Sequence, residues 1–463
     1  MMRSLFSGVA GLRTHQTRMD VIGNNIANVN TTAYKSQSMT FSDLMYQTTR
    51  AASGANAVTG VGGVNARQIG LGSKTGAIKT AISDPGSAQS TNDPFDVMIS
   101  GDAFFVVSNG SENFFTRDGS FYIDGAGNLA MTSNGYNVMG WKPDPQNPGN
   151  IKRDTVQALK IMDGTNMHYP PAATEQAVVS GSVDKYDTDI NSKDGERMNL
   201  EIYDDQGYKY TVRMSVHAVA SAADGSGGSD HGQFTVQVDD ILDVNGKSIL
   251  GETAEEKAKA DVKFGGAAIG TGIPLEYVDG KGTFNFVGAA DKKAAELTFG
   301  AGFPSFHTVS IDFSTTTNYN VNKVSTLNAE KGGLDNGIGS GRPIGDLSGI
   351  TIQKDGMIYA DYDNGQTKLL GQIAVATFAN PSGLAKEGDN LYSATMNSGE
   401  FNGIGDDITE GGGYMESGVL EMSNVDLSSE FTQMITTQRG FQANSRIITV
   451  SDTLLEELTN LKR

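Results

Sequence analysis

The chain contains no cysteine. Disulfides, thiolate metal sites and a Cys–His catalytic pair are thereby excluded. An exported protein without disulfides takes its stability from packing or from assembly. Histidine is sparse: His15, His168, His217, His231 and His307 fall in no HExxH or other metal-ligand spacing. There is no P-loop and no G-x-S-x-G elbow. Asp187, Asp189, Asn191 and Asp194 have the spacing of a calcium loop. Ser192 and Met198 stand where that loop needs Gly and Glu, so the run reads as a solvated turn. No cofactor, metal or catalytic site is expected, and the chain does not read as an enzyme.

Positive charge is also short. Against 54 Asp and Glu there are 35 Lys and Arg, a net charge of -19. Nucleic acid needs a basic footprint and is disfavoured as a partner. No apolar run approaches the ~20 residues of a membrane span, so no membrane insertion is expected. Met1 to Ala10 carries Arg3 but lacks a continuous apolar core and a cleavage site, so no secretory signal is expected and export would use another route.

What is plentiful is glycine, 58 residues of the 463, alongside 20 Phe and 15 Tyr. Many Gly among Thr, Val and Phe predict short strands joined by tight turns. The length suits about three domains at ~150 residues each.

The two ends differ from this background. From Val425 to Leu461, apolar residues recur every seven: Leu427, Met434, Phe441, Ile448 and Leu455. Ile447, Leu454 and Leu461 form a second row, with Leu458 between. The pattern predicts one long amphipathic helix of roughly 55 Å at ~1.5 Å per residue. Near the N-terminus Leu5, Leu12, Met19 and Ile26 repeat the spacing, with Ile22 and Val29 on an adjoining row. This helix should end in the run Asn28 to Thr32, where Asn and Thr compete for backbone hydrogen bonds. A lone stripe reads as a helix packed on its own domain. Two matched stripes at opposite ends, with β-like sequence between, favour the termini packing together.

Between them, residues 34 to 75 hold few large apolar groups after Tyr46 and read as a linker arm. From about 76, short apolar runs alternate with turn pairs: Asn109-Gly110, Asp118-Gly119, Asp124-Gly125 and Asn134-Gly135. The same style returns near 341, with Asp355-Gly356 and Asn364-Gly365. Period-two strands at 200–203, 210–214, 234–238 and 308–313 fill the middle, with a flexible loop at Ala222 to Gly232 and a helical stretch at Glu252 to Lys263. The economical arrangement nests. Residues 1–33 and 421–463 are the terminal helices, 76–148 with 341–420 form a discontinuous inner β domain, and 149–340 are an inserted outer β region. The fold class is mainly β with α-helical termini and two or more nested β domains.

The terminal motifs carry a resemblance. Residues 5–12 (LFSGVAGL) with 23–35 (GNNIANVNTTAYK), and 421–427 (EMSNVDL) with 438–444 (QRGFQAN), resemble the shared ends of the bacterial flagellar axial proteins. Phe104-Phe105 and Thr116 to Phe121 resemble that family's inner β domain. The motif residues are Asn24, Asn25, Asn28, Asn30, Asn424, Gln438, Gln442 and Asn444. Within the family the likeness is closest to hook members, since the distal rod member is expected to lack a large insert. The resemblance implies a structural subunit that polymerises into a curved tube transmitting torque from rod to filament, its terminal helices pairing as a coiled coil in that tube. It implies rod proteins, hook-filament junction proteins, the hook cap and the flagellar export apparatus as partners. The location would be the flagellum, outside the cell or in the periplasm. Some spirochaete members cross-link subunits through a Cys-derived residue, a feature that does not carry over to a chain without Cys. The alternatives are a distal rod or hook-associated protein, or an adhesin or enzyme using the middle region.

Overall fold

The computed structural model describes residues 2–54, 60, 62–220, 229–251, 253–277, 284–287, 292–319, 321–334 and 337–461. The chain is mainly β, with a long helix at each end: α1 (Met2–Ala27) and α3 (Leu427–Asn460), and a short α2 (Ala254–Lys259) between them. It divides into two compact units. Unit 1 holds Met1–Asn166, Gly349–Ala360 and Thr367–Arg463; unit 2 holds Met167–Ser348 and Asp361–Gln366.

In unit 1, α1 leaves its helix where the Asn run begins. Asn28 donates from its backbone N–H and its Nδ2 to Asn24 O, at 3.2 and 2.9 Å. The helix α3 starts at Asp426, whose carboxylate accepts from Ser428 N at 2.9 Å and Ser429 N at 3.4 Å. A carboxylate here satisfies orphan N–H groups and meets the positive end of the helix dipole. The two helices run antiparallel. Asn25 reaches Glu430, Arg18 reaches Gln433, and Gly11 faces Asn444.

The stretch 34–75, expected as a linker, forms two antiparallel ribbons. Gln37–Asp43 pairs with Ser73–Thr80, and Tyr46–Arg50 pairs with Arg67–Gly70. The first ribbon lies on α1: Met39 is buried, the Phe41 ring meets the His15 ring edge-on at 5.4 Å, and Thr14 Oγ1 lies 3.2 Å from Ser73 Oγ. The second is exposed along its whole length and is held by backbone pairing, with Gln68 Nε2 donating to Thr48 Oγ1 at 3.1 Å and Thr49 Oγ1 to Arg67 O at 3.0 Å. Few apolar side chains were needed, because a helix supplies the missing face for only one of the two.

The β part of unit 1 is built on a sheet running 349–352, 357–360, Thr367–Ile373, Asn137–Trp141, Phe104–Ser108, Asn113–Thr116, Leu391–Ser393 and Ala385–Gly388. Strands from either side of the insert thus lie side by side. Phe104, Val106, Phe115, Ala376 and Tyr392 share one buried cluster. Several turn pairs close hairpins as expected, with Gly110 at φ 94° and Gly135 at φ 72°. Asp118-Gly119 does not: Arg117 and Asp118 are buried, and the Arg117 guanidinium stacks 4.9 Å over the Phe104 ring.

Unit 2 contains two sheets around one core. One sheet orders Glu196–Tyr203, Lys209–Ala220, Ser229–Leu242, Ile273–Tyr277 and Phe284–Val287. The other includes Ala294–Thr298, Val309–Thr317, Gln176–Ser182 and Asn328–Lys331, with Gln176–Ser182 parallel to Val309–Thr317. Leu200, Val212, Val216, Phe234, Val236, Ile311 and Phe313 meet in the core. Of the loop expected at Ala222 to Gly232, residues 222–228 lie outside the described residues.

Of the acidic run of unit 2, Asp189, Asn191 and Asp194 are exposed, as a solvated turn requires, but Asp187 is buried, and so is Asp184 just before it. The Asp184 carboxylate accepts from Tyr186 N, Val321 N and Lys323 N at 2.8–3.0 Å, and Asp187 accepts from Asp189 N and Ser325 N. The hydrogen bond from Tyr186 N holds Asp184 below the usual carboxylate range, and burial opposes this only in part. A depressed carboxyl stabilises above its unfolded pKa, and that stability is lost as pH falls through the folded value. Asp184→Ala is expected to cost roughly 2–4 kcal/mol, since orphaned buried N–H groups cost about 1–3 each. Hydrogen exchange should then show lost protection at the amides of 321 and 323; unchanged protection would refute the pinning role.

Candidate assembly interface and the junction beneath it

The structure distributes the expected helix-stripe residues over a range of depths. On α1, Ile22 is buried, while Leu5, Leu12, Met19 and Ile26, and Val29 just beyond the helix, are half-buried. On α3, Met434, Phe441, Ile448 and Leu455 are half-buried, while Leu427 and Leu458 are exposed. Beside Ile22, the buried positions are Gly8, Gly11, Thr14, Val21 and Asn25 on α1, and Glu430, Thr437 and Ser451 on α3. Most are small or polar, and these form the seam where the two backbones approach.

Glycine permits that approach. A Cβ on Gly11 would sit 2.8 Å from the Asn444 side-chain amide, and one on Gly440 would sit 2.6 Å from His15 Cε1. The close seam turns part of each apolar row sideways. Phe431, Ile435, Ile447, Val450 and Leu454 remain exposed along α3, as does Phe6 on α1. Together they leave an apolar helix surface that one partner helix does not cover.

The motif residues fall into two groups. Asn25 is a hub: its Nδ2 donates to Gln37 O (2.8 Å) and Glu430 Oε1 (3.1 Å), and its Oδ1 accepts from Tyr34 Oη (3.2 Å) and Gln37 N (2.9 Å). Asn424 is a second hub, accepting from Ser36 N (2.8 Å) and donating to Ala81 O (3.0 Å) and Asp84 O (3.1 Å). Asn24 donates to Tyr34 Oη at 3.2 Å, and Asn444 donates to Gly440 O at 3.0 Å. Asn30, Gln438 and Gln442 are exposed, and Asn28 works locally at the helix exit.

Glu430 is buried beside the Asn25 hub. Burial pushes its carboxyl above the usual range, more than the Asn25 hydrogen bond and the Arg18 charge hold it down. A raised carboxyl costs stability as pH rises from its unfolded value of 4.5 through the folded one. Glu430→Gln keeps the acceptor for Asn25 and removes the charge. Its expected result is a melting temperature higher by about 1–3 °C at neutral pH and flatter above pH 4.5. A thermal melt series across that range checks it; an unchanged slope would dismiss Glu430 as the titrating group.

Sequence reasoning missed the pair below these hubs. Lys35 and Glu421 are both buried, and Lys35 Nζ donates to Glu421 Oε1 at 2.7 Å and to Asp84 O at 2.8 Å. Glu421 also accepts from Gly86 N at 2.8 Å, and Arg117 Nη1 lies 3.9 Å from its other oxygen. Burial pulls the Lys35 ammonium below its ordinary range, further than Glu421 draws it back. The backbone joins too, with Ala33 N donating to Glu421 O at 2.7 Å from a left-handed φ of 55°. A signal was present: each is the lone charge in an uncharged motif, Lys35 after 21–34 and Glu421 before 422–425.

A β chain whose ends return as an antiparallel helix pair, locked at the base and apolar on its outer face, is built as a self-assembling structural subunit. Three family models match it in order. "Flagella basal body rod protein" covers 5–35, "Flagellar hook protein FlgE/F/G D1 domain" covers 98–180, and "Flagellar basal body rod FlgEFG protein C-terminal" covers 416–461. The flagellar hook protein FlgE of Treponema pallidum is 34% identical over 100% of both chains, and that of Borreliella burgdorferi 33% over 100% of both. A flagellar basal-body rod protein FlgG of Bacillus subtilis is 29% identical, again over 100% of each chain. The solved Helicobacter pylori flagellar hook protein FlgE2 covers 72% of this chain at 14% identity, with a TM-score of 0.44. The chain belongs to the flagellar hook protein FlgE family, whose place is the bacterial flagellum and whose role is structural.

Proposed function

We propose that this chain is the building subunit of the flagellar hook. Copies stack helically into a short, curved tube that joins rod to filament and passes torque as a universal joint. The carrying observation is kinship over the full length, at 34% and 33% identity, with two hook proteins. The helices α1 and α3 line the tube, and their outward rows meet neighbouring subunits. Bending needs outer contacts that slide while inner ones hold. The exposed ribbon of Tyr46–Arg50 and Arg67–Gly70, polar in most positions, suits exchange of weak contacts. Rod and junction proteins contact the tube ends, a cap guides growth, and the flagellar export apparatus delivers the subunit. The tube stands outside the cell, or in the periplasm where flagella are periplasmic. No catalytic role belongs to this reading.

A rod reading has one observation in its favour. The rod-named relative matches along the whole chain, so the insert does not by itself separate rod from hook, contrary to the expectation from the terminal motifs. Electron microscopy of a deletion strain decides between them. Loss of the hook with a rod-bearing basal body left in place supports the hook; loss of the rod overturns it. Limited proteolysis adds a second check. Half-buried helix ends should be trimmed from monomer and protected in tubes, and protease-resistant ends in monomer would contradict assembly-coupled ordering.

A further inference from the structure

Charge is segregated along the chain. Residues 44–83 hold Arg50, Arg67, Lys74 and Lys79 and no Asp or Glu, and no other acid-free stretch is as long. That leaves 31 of the 35 Lys and Arg against all 54 Asp and Glu for the other residues. Arg50 and Arg67 stand on the ribbon of Tyr46–Arg50 with Arg67–Gly70, and Lys74 and Lys79 on Ser73–Thr80 of the next ribbon. All four are exposed, and among the described residues none pairs with a carboxylate. The flanking acids, Asp43 and Asp84, make no ion pair with them. Protein surfaces ordinarily mix both signs.

Arg50 stands directly opposite Arg67 in the register of its ribbon. Like charges opposed across two strands weaken the pairing. Thr48 opposite Gln68 holds the strands together on one side of them. On the other, Ser53 and Val64 exchange backbone hydrogen bonds at 2.9 and 3.0 Å. A two-stranded ribbon exposed at every residue is marginal in water by itself. Two opposed guanidinium groups, each a planar donor fork, are relieved by a carboxylate set between them. A second copy presents such groups in excess, since its residues outside the arm carry every acid of the chain. Subunits at -19 repel on approach, and a stretch of reversed sign is what offsets that repulsion. The arm is also continuous with the helix surface that meets neighbours: Gly72, between the two ribbons, lies against Ser7 and Ala10 of α1. A contact between unlike patches of identical chains does not close on itself and propagates as an open helix.

We infer that Arg50 and Arg67, with Lys74 and Lys79 of the next ribbon, bind carboxylates on the surface of a second copy. This contact rests on the hook-subunit reading and gives its sliding outer contacts a chemistry. Exposed ion pairs are individually weak and trade partners at little cost. Tubes assembled from an equal mixture of unlabelled and isotope-labelled full-length chains test it. Treated with a zero-length carbodiimide, they should join Lys74 or Lys79 to Asp or Glu in mixed-label pairs. Well-formed tubes in which both lysines join only their own chain, or nothing, overturn the contact and leave the hook reading standing. Failure of the unaltered protein to form tubes overturns that reading and the contact with it. Arg50→Gln/Arg67→Gln separates contact from folding. It should raise the critical concentration for assembly at least about 3-fold. Amide exchange over 46–50 in the monomer should slow, because the repulsion is gone. Unchanged assembly, or faster exchange in the monomer, overturns the assignment. Binding of the monomer to phosphatidylglycerol vesicles that is lost in this variant, while its assembly stays normal, would put a lipid surface in the second copy's place and overturn the contact.

Discussion

Glu421→Ala is expected to destabilise unit 1 by roughly 3–5 kcal/mol, the cost of leaving a buried charge without its partner. The side chains of Lys35 and Glu421 are 1% and 0% exposed, so water cannot substitute for the lost carboxylate. The loss spreads. Gly86 N would lose its acceptor, and Arg117 would lose the only carboxylate within ion-pair distance among the described residues. Because Lys35 follows α1 and Glu421 precedes α3, the damage falls where both helices are anchored. Trp141, the single tryptophan, is buried in unit 1 and reports its unfolding by fluorescence. Glu421→Gln keeps an acceptor for Gly86 N and should cost less. Lys35→Met/Glu421→Leu removes the Lys35–Glu421 pair and should recover part of the loss, since buried Arg117 and Gly86 N still lack their partner. A shift below about 1 kcal/mol for Glu421→Ala would mean that the pair is an exposed-type ion pair in energetic terms.

The seven-residue spacing of Leu5, Leu12, Met19 and Ile26, and of Leu427 to Leu455, was readable because helix period is a local property. Which side of each stripe goes deepest was not. Gly8, Gly11 and Gly440 set the seam by what they lack, and an apolar count passes over them. The strands at 200–203 and 210–214 were readable from period-two alternation, and Glu196–Tyr203 pairs with Lys209–Ala220 in that place. The pairing of Gln37–Asp43 with Ser73–Thr80 was hidden, because that ribbon borrows its apolar face from α1. Lys35 and Glu421 stand 386 residues apart, and only the fold that closes both termini brings them to 2.7 Å. Asp184 and Asp187 show a related limit. Composition marks an acidic turn, but only the return of 321–325 turns those carboxylates into buried acceptors.

Ile447→Asp/Leu454→Asp should abolish tube formation while leaving the monomer folded. Both side chains are exposed on α3, at 43% and 45%, and Ile447 touches the intrachain seam only at its edge, its Cγ2 3.8 Å from where a Gly8 Cβ would stand. Ile448 is half-buried and comes nearer, its Cγ1 3.4 Å from the same point, so its replacement by Asp would disturb the helix pair more, as well as assembly. Comparing the two rows therefore separates folding from polymerisation. Covering the exposed 43% and 45% of these two side chains contributes about 1.3–2.7 kcal/mol per subunit, at ~1.5–3 for each full burial. Losing that raises the critical concentration roughly 10–10²-fold, at about 1.4 kcal/mol per factor of ten. Two carboxylates forced into an apolar contact add a desolvation penalty. The Trp141 signal should be unchanged in the variant, and sedimentation should show monomer where the unaltered protein pellets as tubes. Ile448→Asp should instead shift the unfolding midpoint too. Normal tubes from Ile447→Asp/Leu454→Asp would mean that the outward row faces the channel rather than a neighbouring subunit, and the half-buried row of Phe441 and Ile448 would then have to carry the contact.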